Sequence, residues 1–485
     1  MSNGLKNHCR SQFGNQVTSE ERESAANDNN LTNIHKRYPS NIVQSSEGII
    51  LQGNGGATPN DETKVDQNQN IVKSQELKSN KAVDSDAKLI GIAGAWYDVK
   101  HFIAKHPGGP IIKEFIGKDA TSVFRAFHDN SVLKHRRPVG TYQRSFADPA
   151  TKAFAELHIF FKNNGFFESN QVWFTGKFVF LFCIYLSVYL MTKYIENWFI
   201  LYTIAPFGLF LFWQQAGFLM HDFMHSHGTQ VRNLDTWIGA FCGTVCFGVS
   251  GHWWQDDHRV HHGMTNTVDY EDGFMDPQAH EDVWAQNYKL FPFHSGKIQK
   301  FLISIQHFTF LPANIFIGRF GIMLDSFKEE RRWFEWALWS IHWLIMYILL
   351  NNFSTWGEAI LFYYISSTME GILHIQLLIS HYSKPFHEKK DICQETEWYR
   401  MQIESNINIV TPWWMDWFHG GLNFHIEHHL YPMMPRHNYR SASKHIQEVC
   451  KRLNIVYDEE GWFEAVANTL KSMKKMSHHY TLDPR

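Results

Sequence analysis

Residues 198–225 read WFILYTIAPFGLFLFWQQAGFLMHDFMH. The stretch through Met220 is apolar and of the length that crosses a bilayer as a helix, about 20 residues. It runs without a break into His221-Asp-Phe-Met-His225. Residues i and i+4 share one face of a helix, so the two imidazoles project together from the end of the apolar segment. Imidazole nitrogen is a good donor to first-row transition metals. The stretch therefore predicts an α-helical membrane protein with metal ligands where a helix meets the aqueous side.

Two further clusters extend the reading: His258-Arg-Val-His261-His262 and His425-Ile-Glu-His428-His429. On a helix each presents three imidazoles together. Eight such ligands are too many for one ion, so two metals are implied. With 29 His in 485 residues, a random chain would give only ~0.1 H-x-x-H-H matches. Structural zinc sites mix Cys with His, and hydrolytic ones use an H-E-x-x-H helix; these clusters contain neither, which favours a redox metal. Glu427 is expected to point away from the ligand face, either supporting a ligand or solvated. Isolated histidines such as His307, His342 and His387 are read as structural or surface residues.

Working outward, residues 173–192 form an apolar partner to 198–220, and residues 333–350 and 359–380 form a second pair of spans. Segments 237–251 and 301–324 are apolar but short or interrupted by Pro312 and Arg319, and are expected to be interfacial or re-entrant. The turn within the first pair carries only Lys193, and residues 351–357 carry no Lys or Arg. The opposite flanks hold Lys177, Arg319, Lys328, Arg331, Arg332, Lys384, Lys389 and Lys390. By the positive-inside rule both termini and the long central segment face the cytosol, which puts every histidine cluster on one side.

The rest of the composition fits this division. The mean hydropathy of −0.33 averages a polar N-terminus with apolar later segments. A net charge of −3 gives no reason to expect nucleic-acid binding. Residues 1–71, rich in Asn, Gln, Ser and Asp, are expected to be a disordered tail. Residues 72–146 read as a compact unit of short strands and helices, followed by a polar linker and a membrane domain over 150–485. The N-terminus, Met1-Ser-Asn-Gly-Leu-Lys, has no apolar core of a signal peptide, so targeting is expected from internal helices. Cys9, Cys183, Cys242, Cys246, Cys393 and Cys450 form no C-x-x-C pair and read as reduced packing residues.

In order, spacing and position relative to the spans, the three clusters resemble the histidine boxes of the membrane fatty-acid desaturase and hydroxylase superfamily. The resemblance covers about residues 150–450, including the Gly420-Gly421-Leu422-Asn423-Phe424 lead-in and the Leu430-Tyr431-Pro432 exit of the third box. It implies two non-haem iron ions that use O2 and two electrons to remove two hydrogens from an acyl chain. It also implies a ninth ligand near the cytosolic end of the fourth span, best matched by His381, with His374 a weaker candidate beside Glu370. Asn266 is read either as orienting a ligand or water or as an ordinary turn residue.

The unit at 72–146 contains Trp96-Tyr97-Asp98-Val99, His106-Pro107-Gly108-Gly109, Gly117-Lys118-Asp119-Ala120-Thr121 and Ala126-Phe127-His128. In that order these resemble cytochrome b5, a small α+β fold, and imply that His106 and His128 are axial ligands of a b-type haem. Two imidazoles leave no open position, so such a haem transfers electrons rather than binding oxygen. The basic stretch Lys134-His135-Arg136-Arg137 departs from the acidic surface usual in that family; it is read as a solvated cluster, with the membrane or the catalytic domain as the other surface it could face.

The fused arrangement is that of front-end desaturases. It implies an O2-dependent acyl-lipid or acyl-CoA desaturase of delta-5/delta-6 type, making a cis double bond in polyunsaturated chains. The expected electron donor is an NAD(P)H cytochrome b5 reductase, and the expected location is the endoplasmic reticulum membrane. Front-end enzymes usually open the third box with Gln, whereas this chain has His425. A sphingolipid delta-8 desaturase and a fatty-acyl hydroxylase are alternatives, and a non-catalytic membrane haem protein a remote one that would predict eroded boxes.

Overall fold

The computed structural model describes residues 87–144, 149–279, 281, 283–328, 330–392 and 398–482. The tail expected over 1–71 lies outside these residues, as do Cys9 and Cys393.

The first described unit is small and mixed. Strands Leu89–Ile92, Ala95–Asp98 and Gly140–Thr141 pair antiparallel in that order, with Ile90 opposite Tyr97 and Trp96 opposite Gly140. Its core is Ile90, Ile92, Val99 and Ala120. The 3-10 turns Ile103–Lys105 and Gly109–Phe115 and the helix Thr121–Phe127 complete it. Lys134, His135, Arg136 and Arg137 are all exposed, as a solvated cluster should be.

The polar linker expected after this unit is instead largely the helix Pro149–Asn163. Its Lys and Glu side chains disguise a buried stripe that includes Ala150, Phe154 and Phe161. That stripe packs in a core with Tyr399, Ile426 and Leu430. Helix amphipathicity of this kind needs a partner surface, and here the partners Tyr399, Ile426 and Leu430 lie more than 200 residues away in sequence.

Among the described residues, three helices are long and apolar enough to cross a membrane: Gln171–Tyr194, Ile200–Met224 and Trp333–Leu350. Asn170 caps the first by accepting from the Trp173 amide at 3.0 Å. Ile200–Met224 is the central one and opens with the π-helical turn Ile200–Ile204. Its residues from Leu209 to Met224 are buried with one partial exception. They share a core with Phe174, Leu181, Met346 and Phe362 from neighbouring helices. Large apolar side chains of the outer helices face outward instead, among them Val172, Phe182, Leu344 and Ile348, as lipid-facing positions would.

The fourth expected span corresponds to Trp356–Ile379, which has 24 residues and a Thr355–Glu358 capping box. Glu370, His374, Ser366 and Ser367 make it more polar than the other three. The segment expected to be interfacial or re-entrant is a bent pair, Gln306–Phe316 and Gly318–Lys328, broken at 80°.

Candidate metal centre

Each histidine box is placed by a local feature of its sequence. The central helix ends at Met224, leaving His221 in its last turn and His225 as its C-cap. The second box lies on Gly251–Gly263, whose N-cap Ser250 accepts from the Trp253 amide at 3.2 Å. The third box is the six-residue helix His425–Leu430. Gly420 and Gly421 precede it with φ of +63° and +78°. A side chain at Gly420 would strike the Phe218 ring at 2.2 Å, so the glycine lead-in brings this box against the central helix. Ile426 and Leu430, on the far side of the short helix, are anchored in the core that holds Phe154 and Tyr399.

These elements converge. His221, His225, His258 and His428 form one group, His261, His381 and His429 a second, and His262 joins His428 and His429 in a third. Within each group the donor nitrogens lie within 4.8 Å of one another. His425 adjoins the second group, its Nε2 2.9 Å from that of His381. Nε2 atoms also face one another at 3.0 Å between His221 and His428 and between His258 and His262. All nine rings are buried. Of the two candidates near the end of the fourth expected span, His381 lies within the cluster, while His374 stays within its own helix, 3.0 Å from Glu370. His342 is structural, its Nδ1 donating to the Val245 carbonyl at 2.9 Å.

The outer nitrogens explain why the inner ones point inward. His258 Nδ1 donates to Gln278 Oε1 at 2.8 Å and His261 Nδ1 to Asp276 Oδ2 at 2.8 Å. His381 donates to the Ser405 carbonyl at 3.0 Å and His429 to Gln402 Oε1 at 2.9 Å. His428 Nδ1 lies 3.0 Å from the Tyr439 hydroxyl. A proton held on Nδ1 by an acceptor leaves the Nε2 lone pair directed at the centre, as in metal-ligating histidines generally. His225 Nε2 and His429 Nε2 are buried without a hydrogen-bond partner. Such donor atoms are costly unless a metal takes them up.

The electrostatics agree. Burial first, then neighbouring imidazoles, hold His225, His258, His262, His425, His428 and His429 well below the usual histidine range. His381 is pushed down to about 3, mainly by burial. These rings are therefore neutral at pH 7, the form that binds metal. A donor set made only of imidazoles, in adjoining groups, fits first-row transition ions.

Other residues that complete the centre are not legible in the boxes. Asp222, inside the first box, is fully buried and pairs with Arg436 beyond the third, at 3.0 Å. Asp276 also accepts from the Asn266 amide at 2.8 Å, and Asn266 Nδ2 donates to the His381 carbonyl at 3.3 Å. Asn266 is thus a buried turn residue with φ of +48° that ties the second box to His381. Glu427 does turn away from the ligands, yet it is buried rather than solvated. Its oxygens accept from Tyr457 at 2.6 Å and Asn408 at 2.8 Å, and burial pushes its carboxyl up to about 7.

In the N-terminal unit the rings of His106 and His128 face each other with centroids 6.1 Å apart. Each anchors Nδ1 on a backbone carbonyl, of Gly109 at 3.1 Å and of Phe124 at 3.2 Å. Both Nε2 atoms are thereby free, and a gap of this size admits a metal with an imidazole bond of about 2 Å on either side. The pair fits a haem iron. Burial lowers the pKa of both rings, that of His128 to about 4.

A two-part molecule emerges: an imidazole cluster at the end of a bundle of long apolar helices, and a unit with two facing histidines beside it. The family model for fatty acid desaturases matches residues 196–461, and that for the cytochrome b5-like haem/steroid-binding domain matches residues 73–160. The chain belongs to the fatty acid desaturase family, with a cytochrome b5-like domain fused ahead of it, the arrangement of front-end desaturases. It is an oxidoreductase. Similar proteins include delta(8)-fatty-acid desaturase 1 of Arabidopsis thaliana, 28% identical over 428 residues, spanning 84% of this chain and 93% of that protein. An acyl-lipid (9-3)-desaturase of Borago officinalis is 28% identical over 427 residues, with 83% and 92% covered. A delta(6)-fatty-acid desaturase of Caenorhabditis elegans is 27% identical over 442 residues, with 80% and 96% covered. The cytochrome b5-like domain implies haem, and the desaturase family implies iron.

Proposed function

We propose that this chain is an O2-dependent front-end desaturase that introduces a cis double bond into a polyunsaturated acyl chain. The carrying observation is the convergence of eight buried histidines into adjoining groups whose nitrogens lie within 4.8 Å of one another, with a ninth, His425, placing its Nε2 2.9 Å from that of His381. In this reading His221, His225, His258, His261, His262, His381, His425, His428 and His429 hold two non-haem iron ions. Bound iron would supply the O2 activation needed to attack an unactivated methylene. His425 takes the position where front-end enzymes usually have Gln, and its approach to His381 supports a ligand role there.

His106 and His128 hold a b-type haem, which would supply electrons one at a time. An NAD(P)H-dependent cytochrome b5 reductase recharges it. The N-terminal domain spans residues 72–146 and the desaturase domain 150–485. Four spans in two hairpins, including Trp356–Ile379, place both termini on the cytosolic face of the endoplasmic reticulum membrane; the Lys and Arg asymmetry supports this orientation.

The protein's own task is positional. The apolar helices hold the acyl chain and keep water from the centre, while Gln278, Asp276, Gln402 and Tyr439 keep the ligand protons on Nδ1. The relatives' names carry both delta(6) and delta(8) activities. A delta-8 reading, on acyl or sphingoid chains, is therefore weighed equally with delta-5 and delta-6.

Mass spectrometry of fatty acids and long-chain bases from yeast expressing the chain tests this. The cells are fed eighteen- and twenty-carbon polyunsaturated acids, with a His428→Ala, His429→Ala double variant as control. A new double bond that vanishes in the variant is expected, and its position assigns the regiochemistry. An oxygenated product would instead make the chain a hydroxylase.

A further inference from the structure

The haem unit is packed against the desaturase domain through a defined face. Arg259, inside the second histidine box, donates from Nη1 to the Pro107 carbonyl at 2.6 Å, in the His106-Pro107-Gly108-Gly109 turn. Arg232 donates from Nη2 to the Phe127 carbonyl at 3.3 Å, next to His128. Each segment bearing a haem histidine is thus gripped by one arginine of the other domain. Lys389 pairs with Glu114, and Ile111 packs against Gly263 at the end of the second-box helix. Ala126 is buried in the same core as Ile426 and Leu430 of the desaturase domain, with Val123 and Phe127 packed against it. The contact is a shared core with charged pairs at its rim, which is how a fixed interface is built.

One side chain in this face reaches the metal centre. The Phe127 ring meets the His262 ring edge-on, with centroids 6.1 Å apart and planes at 83°. Phe127 is covalently adjacent to His128 on one side and touches a member of the imidazole cluster on the other. The competing connection, from Pro107 through Arg259, must run the length of an arginine side chain before it reaches the backbone of the second box.

We infer that Phe127 is the positioning residue through which electrons cross from the haem domain to the metal centre, held in register by Arg232 and Arg259. This rests on the haem and iron reading above. In each crossing the ferrous haem loses one electron and becomes ferric, and the metal centre gains that electron. No proton moves through the ring and no bond forms or breaks. Two crossings, each after recharging by an external reductant, supply the two electrons that one desaturation consumes.

The test uses the full-length holoenzyme in nanodiscs under argon. The haem is flash-photoreduced with a deazaflavin, and its visible absorbance is followed as the electron passes to the ferric metal centre. The wild-type rate is expected to be independent of protein concentration, as for transfer within one chain. Phe127→Leu, which keeps an apolar side chain but no ring, is expected to slow transfer about tenfold, or about 1.4 kcal/mol of barrier. The haem spectrum, midpoint potential and iron content should not change, and Phe127→Tyr should restore the rate. An unchanged rate in Phe127→Leu would overturn the inference, and so would a slow phase accompanied by a shifted midpoint potential. A chain with no haem absorbance would fail the underlying haem reading and this inference together; haem present with an unaltered rate would fail this inference alone.

Discussion

Replacing Asp276 by Asn isolates what a single charge outside the ligand set contributes. The carboxylate is fully buried. Its Oδ2 accepts from His261 Nδ1 and the Asn266 amide, both at 2.8 Å, and its Oδ1 accepts from the Gln278 amide at 3.0 Å. Every neighbour is a donor. An Asn side chain of the same shape has only one acceptor oxygen, so in either orientation its NH2 faces at least one buried N–H. An unmet buried donor costs about 1–3 kcal/mol. If the amide oxygen turns to Gln278, His261 loses the partner that fixes its tautomer; if it turns to His261, the loop holding Gln278 against His258 is strained. Loss of such a carboxylate–histidine contact typically lowers metal affinity about 10–100-fold, or about 1.4–2.7 kcal/mol. The expected outcome for Asp276→Asn is iron falling from two toward one per chain after dialysis, measured by inductively coupled plasma mass spectrometry. Desaturation should fall in step while the haem absorbance stays at the wild-type level. Wild-type iron content and product yield in this variant would refute the claim that Asp276 orients His261.

Further outcomes follow from other contacts. Asp222→Ala strands the buried Arg436 guanidinium and should lower stability by about 3–5 kcal/mol, read as a fall in melting temperature; an additional Arg436→Met change should recover part of the loss. His158, tilted against the rings of Phe167 and Tyr431, has its pKa lowered to about 4, chiefly by burial. A folded-state pKa below the unfolded value means the contribution is complete above about pH 6.5 and is lost as pH falls toward 4, by at most about 3 kcal/mol. A His158→Phe variant should therefore melt with a shallower pH dependence over that window. Stripping iron with a chelator should lower the melting temperature of the desaturase domain, and Fe(II) should restore it in a concentration-dependent way. No shift with metal would count against the nine-histidine site.

The legible parts of this site were those set by local geometry. An H-x-x-H-H run fixes three rings on one helical face, and the apolar run before His221 says where that face lies. His381 was visible only through resemblance, because it lies 44 residues before its nearest partner, His425, at the end of a helix. Asp276, Gln278, Gln402 and Tyr439 carry no pattern at all: they come from loops and from two separate helices, and only the folded chain brings them to the ligands. Helix Pro149–Asn163 was hidden for a related reason. Its apolar stripe of Ala and Phe is diluted by Lys and Glu, and its partner surface is assembled from the third-box region.

That dependence also explains why the short third-box helix can carry ligands. Six residues make an isolated helix unstable in water, since nucleation is unfavourable and few bonds repay it. His425–Leu430 is instead held on every side. Ile426 and Leu430 are buried in the core shared with Pro149–Asn163, and Asn408 accepts from the Ile426 amide at 2.9 Å while donating to Glu427. The same core takes in Ala126 of the haem unit. One packed cluster therefore orders the third histidine box and seats the cytochrome b5-like domain, so the spacing between the His106–His128 pair and the histidine cluster is set by the core itself rather than by a tether.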